Sequence, residues 1–197
     1  MSTKIYTINA REILDSRGNP TIETMVILES GYRGVAAVPA GTSLGKYEAK
    51  ELRDGDQARF YGMGVLNAVK TVNTTIASRL RGMDALDQTG IDQTMIALDG
   101  KEDKSNLGAN SILSVSLSVA AAAAAASRTP LYRYLNALFI PLVPTTLAKI
   151  PTPTVNVING GKHGAGNLDF QEFQIVPASN RSFSDALRLA VEVYQKL

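Results

Sequence analysis

The sequence predicts an α+β domain, with three consecutive strands ahead of several helices, and a smaller second part behind it. Strand-forming residues dominate the chain up to residue 38 and are interrupted only by short turns. From residue 65 onward, apolar residues recur every three or four positions, which is typical of amphipathic helices. Four prolines then lie between residues 141 and 153, a composition that suits a linker between domains.

The predicted strands cover residues 4–17, 21–28 and 32–38. Gly18-Asn19-Pro20 is a strong turn signal between the first two, and residues 29–31 separate the second from the third. Because the connections are so short, we expect the three strands to form an antiparallel meander.

A loop punctuated by glycines follows at residues 39–46. Small hydroxyl residues between glycines allow a backbone to approach a phosphate or a metal, and Lys46 would add positive charge. The segment lacks the Gly-Lys-Ser/Thr ending of the phosphate-cradling loop. From these residues alone, a ligand-binding loop and an ordinary connecting loop both stay open.

Helices are predicted over residues 65–81, 87–98, 111–127 and 131–138. The first carries an apolar stripe formed by Val65, Val69, Val72, Ile76 and Leu80. Asn110 is the expected N-cap of the third helix. Apolar residues lie on more than one face of that helix, so we expect it to be buried in the core.

The second part is predicted to hold strands at 153–159 and 171–177 and a helix that starts near Ser182. Ser182 and Asp185 resemble a capping box. The helix runs to Leu197 without a closing glycine or proline, and the residues after 150 are too few to close a core of usual size. We therefore expect the opening of a larger domain. A short native protein with a docked C-terminal helix is the alternative.

The composition argues against several classes of function. The 197 residues are 45% hydrophobic and 19% charged, as in ordinary soluble proteins. A net charge of +2 without a lysine/arginine cluster argues against nucleic-acid binding. The absence of cysteine excludes disulfides, thiolate metal sites and a cysteine nucleophile.

The first residues lack the apolar core of a secretion signal, and the longest apolar run, 119–126, is far shorter than the ~20 residues of a membrane span. We therefore expect a cytoplasmic protein without a membrane span.

The only histidine marks the candidate site. His163 follows an apolar, strand-like run and Gly160-Gly161, and a second apolar run that carries Glu172 among its polar positions begins within a few residues. This arrangement can aim an imidazole and a carboxylate from neighbouring strand ends into one pocket. An anion-binding or acid/base site explains the pattern, and a glycine-rich turn with a surface histidine explains it about as well.

A series of segments along the chain also resembles a known family. They are residues 15–21 (Asp-Ser-Arg-Gly-Asn-Pro-Thr), 38–45 (Val-Pro-Ala-Gly-Thr-Ser-Leu-Gly), 48–56, 98–100 (Leu-Asp-Gly), 104–110 (Lys-Ser-Asn-Leu-Gly-Ala-Asn), 130–132 (Pro-Leu-Tyr), 156–163 and 171–173 (Gln-Glu-Phe). In order and spacing the series is similar to the enolase family, the phosphopyruvate hydratases. No single segment is decisive, but together they span essentially the whole chain.

The resemblance implies an α+β N-terminal capping domain over residues 1–140, built from a three-stranded antiparallel meander plus helices. It implies that residues 141–197 are the incomplete start of an α/β barrel, because a complete barrel takes ~250 residues. The family reaction is the reversible dehydration of 2-phosphoglycerate to phosphoenolpyruvate in glycolysis and gluconeogenesis, with Mg²⁺ as cofactor. The family also implies a homo-oligomer.

Site residues are carried over from the family by position. His163 and Glu172 match catalytic residues that, together with Gln171, contact the substrate, and Gln171 and Glu172 match the pair that assists departure of the hydroxyl. Ser43 matches a loop serine that contacts the substrate phosphate and the second magnesium ion.

Two kinds of departure limit what the resemblance implies. Ala40 and Leu44 stand where the family loop usually has hydroxyl residues. The family's catalytic lysine, its principal acid glutamate and its three magnesium carboxylates correspond to positions beyond Leu197, so the chain alone is expected to be inactive.

Two other interpretations stay open. The chain could be a truncated enolase-like binding or scaffold module, or part of another enolase-superfamily enzyme with a different acid substrate. The loop around Ser43 and the Gln171-Glu172 pair favour enolase over that relative.

Overall fold

A computed structural model describes residues 1–41, 45–139 and 150–197. The chain divides into two compact units, Met1–Pro144 and Thr145–Leu197. The boundary predicted between residues 140 and 141 lies outside the described residues.

The first unit carries a three-stranded antiparallel sheet in which the strands lie in chain order: β1 (Ile5–Leu14), β2 (Pro20–Leu28) and β3 (Arg33–Ala37). The predicted meander is confirmed. β1 ends earlier than predicted because the Asp15 carboxylate accepts the backbone N–H groups of Arg17 and Asn19, both at 2.8 Å, and folds the chain into a turn. The N–H of Asn19, followed by that of Arg17, holds the pKa of Asp15 below its ordinary value.

Five α-helices follow along this unit: α1 (Leu66–Thr71), α2 (Ala77–Leu80), α3 (Gln88–Asp99), α4 (Ala109–Ala126) and α5 (Leu131–Phe139). A π-helical turn, Val72–Ile76, connects α1 directly to α2. The fully buried side chains along this stretch are Val65, Ala68, Val72, Ile76 and Leu80. Ala68 takes the core position predicted for Val69, which is only partly buried.

α4 is the core helix that the sequence predicts, but its first turn is built differently. Gly108, with φ +89°, occupies the N-cap position, and Asn110 lies inside the helix. The Asn110 side-chain oxygen accepts the Leu52 N–H at 2.9 Å, and its amide donates to the Leu52 carbonyl at 3.1 Å. The predicted capping role of Asn110 is therefore wrong, because its side chain instead holds the segment that leads away from the glycine-rich loop.

The sheet packs closely against α4. A Cβ added at Gly34 of β3 would lie 2.2 Å from the Ser118 carbonyl oxygen, so glycine is what permits this approach. Buried hydroxyls join the two layers: Thr24 and Ser114 share a hydrogen bond of 2.8 Å, and Ser118 donates to the Thr24 carbonyl at 2.8 Å. Among the described residues, α4 is the one helix that is long and apolar enough to cross a membrane, and 56% of it is buried in this unit.

A charged cluster anchors the segment before α1 to the end of β1. Arg59 forms a two-pronged ion pair with Glu12, and Glu12 Oε2 also accepts the Val65 N–H at 2.9 Å. Asp54 accepts the N–H groups of Leu66 and Asn67 at the start of α1. The hydrogen bond from Arg59 is the largest influence on the pKa of Glu12 and, with the Val65 N–H, lowers it below 4.5 despite partial burial.

The second unit has a two-stranded antiparallel sheet, β4 (Val155–Asn159) and β5 (Glu172–Ile175), and one helix, α6 (Phe183–Tyr194). Its predicted cap is present: Ser182 Oγ accepts the Asp185 N–H at 3.1 Å and donates to the Asp185 carboxylate at 2.7 Å. α6 buries only Ala186 and Ala190. Large apolar side chains of α6, such as Leu187 and Val191, are exposed in this unit.

Candidate functional site

The loop between β4 and β5 is folded tightly on itself, and two glycines make this possible. A Cβ added at Gly160 would lie 2.1 Å from the Phe170 carbonyl oxygen, and one at Gly164 would lie 2.5 Å from the Asn159 carbonyl oxygen. The Gly160 N–H donates to the Gln171 carbonyl at 2.8 Å. This bond brings the start of the loop beside its end, so side chains distant in sequence become neighbours.

His163, Gln171 and Glu172 are brought together by this loop. The Gln171 amide nitrogen lies 3.2 Å from Nδ1 of His163, and Oε1 of Glu172 lies 3.8 Å from the same nitrogen. The histidine and glutamate side chains are 30% and 38% exposed. An imidazole between an amide and a carboxylate, open to solvent, can accept or donate a proton. The two apolar runs allow an imidazole and a carboxylate to meet here, and in the structure these two groups lie within 3.8 Å of each other.

The way the imidazole is bonded depends on its protonation. When Nδ1 is unprotonated, it can accept a hydrogen bond from the Gln171 amide. When the ring is protonated, Nδ1–H is a donor, and the Glu172 carboxylate is the nearby acceptor. The two neighbours therefore suit the two states of one histidine, which is what a group that binds an anion or transfers a proton needs.

Gln174 belongs to the same site, although the sequence reasoning missed it. Its amide donates to Glu172 Oε2 at 2.9 Å. The two-residue alternation of a strand places Glu172 and Gln174 on one face of β5, and that pattern could have identified it. Asn156 and Asn159 of β4 are the register partners of Gln174 and Glu172.

Residues 5–135 match the model of the enolase N-terminal domain, and residues 147–197 match that of the enolase C-terminal TIM barrel domain. The chain belongs to the enolase superfamily. The predicted fold class is thereby confirmed, since an enolase-type α+β capping domain precedes two strands and a helix of an eight-stranded barrel. The site lies in the enolase barrel portion.

The described residues do not fit a magnesium site of the enolase superfamily by themselves. In residues 1–41, 45–139 and 150–197, no three acidic or histidine side chains converge into a group that could hold a metal ion. At the candidate site, Glu172 offers a single carboxylate beside a histidine, whereas Mg²⁺ prefers an octahedral set of oxygen ligands. The remaining predicted metal and substrate residue, Ser43, lies outside the described residues.

Proposed function

We propose that this chain works as part of an enolase, which removes water reversibly from 2-phosphoglycerate to give phosphoenolpyruvate. The single observation that supports this member of the superfamily is the convergence of His163, Gln171 and Glu172 at the β4–β5 loop. The enzyme is a lyase of glycolysis and gluconeogenesis. Its expected setting is a cytoplasmic homo-oligomer.

The three side chains suit the polar groups of the substrate. 2-Phosphoglycerate carries a phosphate, a carboxylate and the hydroxyl that leaves. Protonated His163 and the Gln171 amide are donors for anionic oxygens. As a carboxylate, Glu172 can accept a hydrogen bond from the substrate hydroxyl. When Glu172 is protonated, it can give its proton to that hydroxyl, which then leaves as water. Solvent-exposed positions allow these groups to reach a ligand bound at the mouth of the loop.

Magnesium is the cofactor that superfamily membership implies for the complete enzyme, where it would stabilise the negative charge of the intermediate. Because the described residues do not form its site, we assign them no step through the metal. Ser43 is proposed as a contact to phosphate and magnesium on its position in the sequence alone. The base that removes the carbon-bound proton is not assigned to any described residue.

The test uses the complete reading frame that contains residues 1–197, with and without Mg²⁺. Formation of phosphoenolpyruvate from 2-phosphoglycerate is followed by the ultraviolet absorbance of the enol product. We expect turnover, and a loss of about 10²- to 10⁴-fold for Glu172→Gln, the usual contribution of a positioned proton-transfer group. Glu192→Gln is the matched control, because Glu192 lies on α6 and pairs with Arg188 away from the loop. A folded complete protein that dehydrates a different acid, or none, would contradict the proposal.

The 197-residue chain by itself is expected to give no phosphoenolpyruvate, since its described residues form no metal group. Measurable product from the purified chain, of verified mass and free of contaminating enzyme, would show that the required groups are present in it.

A further inference from the structure

One face of the β4–β5 sheet carries a row of four polar side chains: Asn156, Asn159, Glu172 and Gln174. Glu172 and Gln174 are two residues apart on β5 and therefore share a face. Their register partners on β4 are Asn159 and Asn156, which are three residues apart. In a regular strand an odd spacing points side chains to opposite faces.

A β-bulge at Val157 resolves this mismatch. The register shifts between Asn156 and Ile158, so β4 has one more residue than β5 over this stretch. An extra residue restores the alternation beyond it, and both asparagines can lie beside the β5 pair. The amide of Asn156 donates to the side-chain oxygen of Asn159, which supports their common placement. The bulge therefore assembles the row next to the candidate site.

Within the row, the two oxygens of Glu172 have different neighbours. Oε2 accepts a hydrogen bond from the Gln174 amide at 2.9 Å. Oε1 lies 3.8 Å from Nδ1 of His163. A glutamate side chain has three rotatable bonds and is costly to order. A donor that holds one oxygen restricts the rotation of the carboxylate, and the other oxygen then stays directed towards the histidine.

We propose that Gln174 is a positioning residue that fixes the Glu172 carboxylate in the orientation in which it faces His163. The geometry of this contact does not depend on the proposed function. Only its importance for turnover rests on that function. Gln174 acts through Glu172, because its amide donates to the carboxylate, whereas the amide that lies beside the imidazole belongs to Gln171. A charge-assisted hydrogen bond is stronger than a neutral one, which suits the amide for this role.

The single histidine allows a direct test in the full 197-residue chain. Ring carbon–proton cross-peaks in an NMR spectrum arise from His163 alone. At one fixed pH, we expect Glu172→Gln to displace these peaks, and Gln174→Leu to displace them by at least half as much. We also expect Glu172→Gln to move the side-chain amide cross-peak of Gln174. Gln195→Leu is the matched control, since Gln195 lies at the end of α6.

Gln174→Glu provides a second variant that keeps a polar side chain of similar size on the strand. It removes the donor and sets two carboxylates side by side, so Glu172 should turn away and the ring peaks should again move. If both Gln174 variants leave the ring peaks where the Gln195→Leu control has them, while Glu172→Gln displaces them, the positioning role is wrong. Unchanged α6 amide peaks show in each case that the fold persists.

Kinetics of the complete protein separate this proposal from the proposed function. Gln174→Leu should lower kcat by about tenfold with a smaller change in KM, because an orienting contact matters most in the transition state. If the complete protein has no dehydratase activity but the ring peaks respond to Gln174, the proposed function fails and the positioning role stands. If turnover is present but the Gln174 substitutions change neither kcat nor the ring peaks, the positioning role is wrong and the proposed function stands.

Discussion

Asn73 hydrogen-bonds both backbone groups of Ala10 on the edge strand β1. Its side-chain oxygen accepts the Ala10 N–H at 2.6 Å, and its amide donates to the Ala10 carbonyl at 3.1 Å. This pair of bonds reproduces what a neighbouring strand would offer. Asn73 belongs to the π-helical turn, and further along the same edge Arg81 donates to the Tyr6 carbonyl at 3.1 Å. The longest edge of the sheet is thus covered by a helix, which protects it against pairing with another chain.

Asn73→Ala should destabilise the first unit by about 1 kcal/mol, because an edge residue loses two hydrogen bonds that water only partly replaces. Asn67→Ala, in the same helical stretch, is the matched control, since Asn67 takes part through its backbone N–H to Asp54. Urea unfolding gives the free energies, and hydrogen exchange of the Ala10 amide gives the local effect. Equal exchange of that amide in both variants would contradict the role of Asn73.

The stability of the first unit should fall in acid as Glu12 becomes protonated. Its pKa is lowered in the folded chain, first by the Arg59 hydrogen bond, from an ordinary value of 4.5. A lowered folded pKa means that the stabilisation is fully present above the unfolded value and is lost as pH falls through the folded one. Unfolding should therefore become easier below about pH 4.5, and Glu12→Gln should weaken this dependence.

Glu102→Gln is the control for that acid dependence, because Glu102 is an exposed residue of the loop between α3 and α4. Asp103, in the same loop, adds to the effect at lower pH. Its hydrogen bonds with Ser105 and then Lys50 lower its pKa to about 2.

A stability-versus-pH curve that is identical for the chain and for Glu12→Gln would show that the ion pair between Glu12 and Arg59 contributes nothing.

Gly34→Ala should cost about 2–3 kcal/mol, the upper part of the range for overpacking a core. The added carbon would lie 2.2 Å from the Ser118 carbonyl oxygen and 2.3 Å from the Ala122 nitrogen, both of which are helix backbone and cannot turn aside. Gly45→Ala is the control, because its nearest neighbour would be 3.6 Å away. Thermal unfolding of the two variants is the measurement. A Gly34→Ala chain as stable as the control would mean that β3 can shift on α4 at no cost.

The sequence predicts elements wherever the determining signals are local. The three strands, the core position of α4 and the Ser182 cap all follow from alternation, helical periodicity or a capping pair within a few residues. Asn110 shows the limit of such signals, since asparagine before a helical pattern is a good cap by composition. Its actual partner is Leu52, which lies 58 residues earlier in the chain. No local pattern carries that information.

The candidate site also combines features that local sequence patterns indicate with features that they do not. Two apolar runs with polar flanks suggest neighbouring strand ends, which can bring His163 and Glu172 together, and the structure places them within 3.8 Å of each other. Their roles stay a prediction. The Val157 bulge could not be predicted, because a bulge changes register without a distinctive residue type here. Without that register, the sequence gives no reason to place Asn156 and Asn159 beside Gln174.

Gly160→Ala should separate the parts of the candidate site. The methyl group would lie 2.1 Å from the Phe170 carbonyl oxygen, so the loop must open and the Gly160 N–H loses its bond to Gln171. His163 then moves away from Gln171, and its ring cross-peaks should shift towards the positions of an unstructured histidine.

Gly166→Asn is the control for the Gly160 substitution, because space around Gly166 is open and asparagine tolerates its positive φ. In the complete protein we expect the Gly160 variant to lose at least about 10² in kcat/KM, as for displaced catalytic groups, and the Gly166 variant to lose little. Similar ring spectra for both variants would mean that the loop does not hold the histidine.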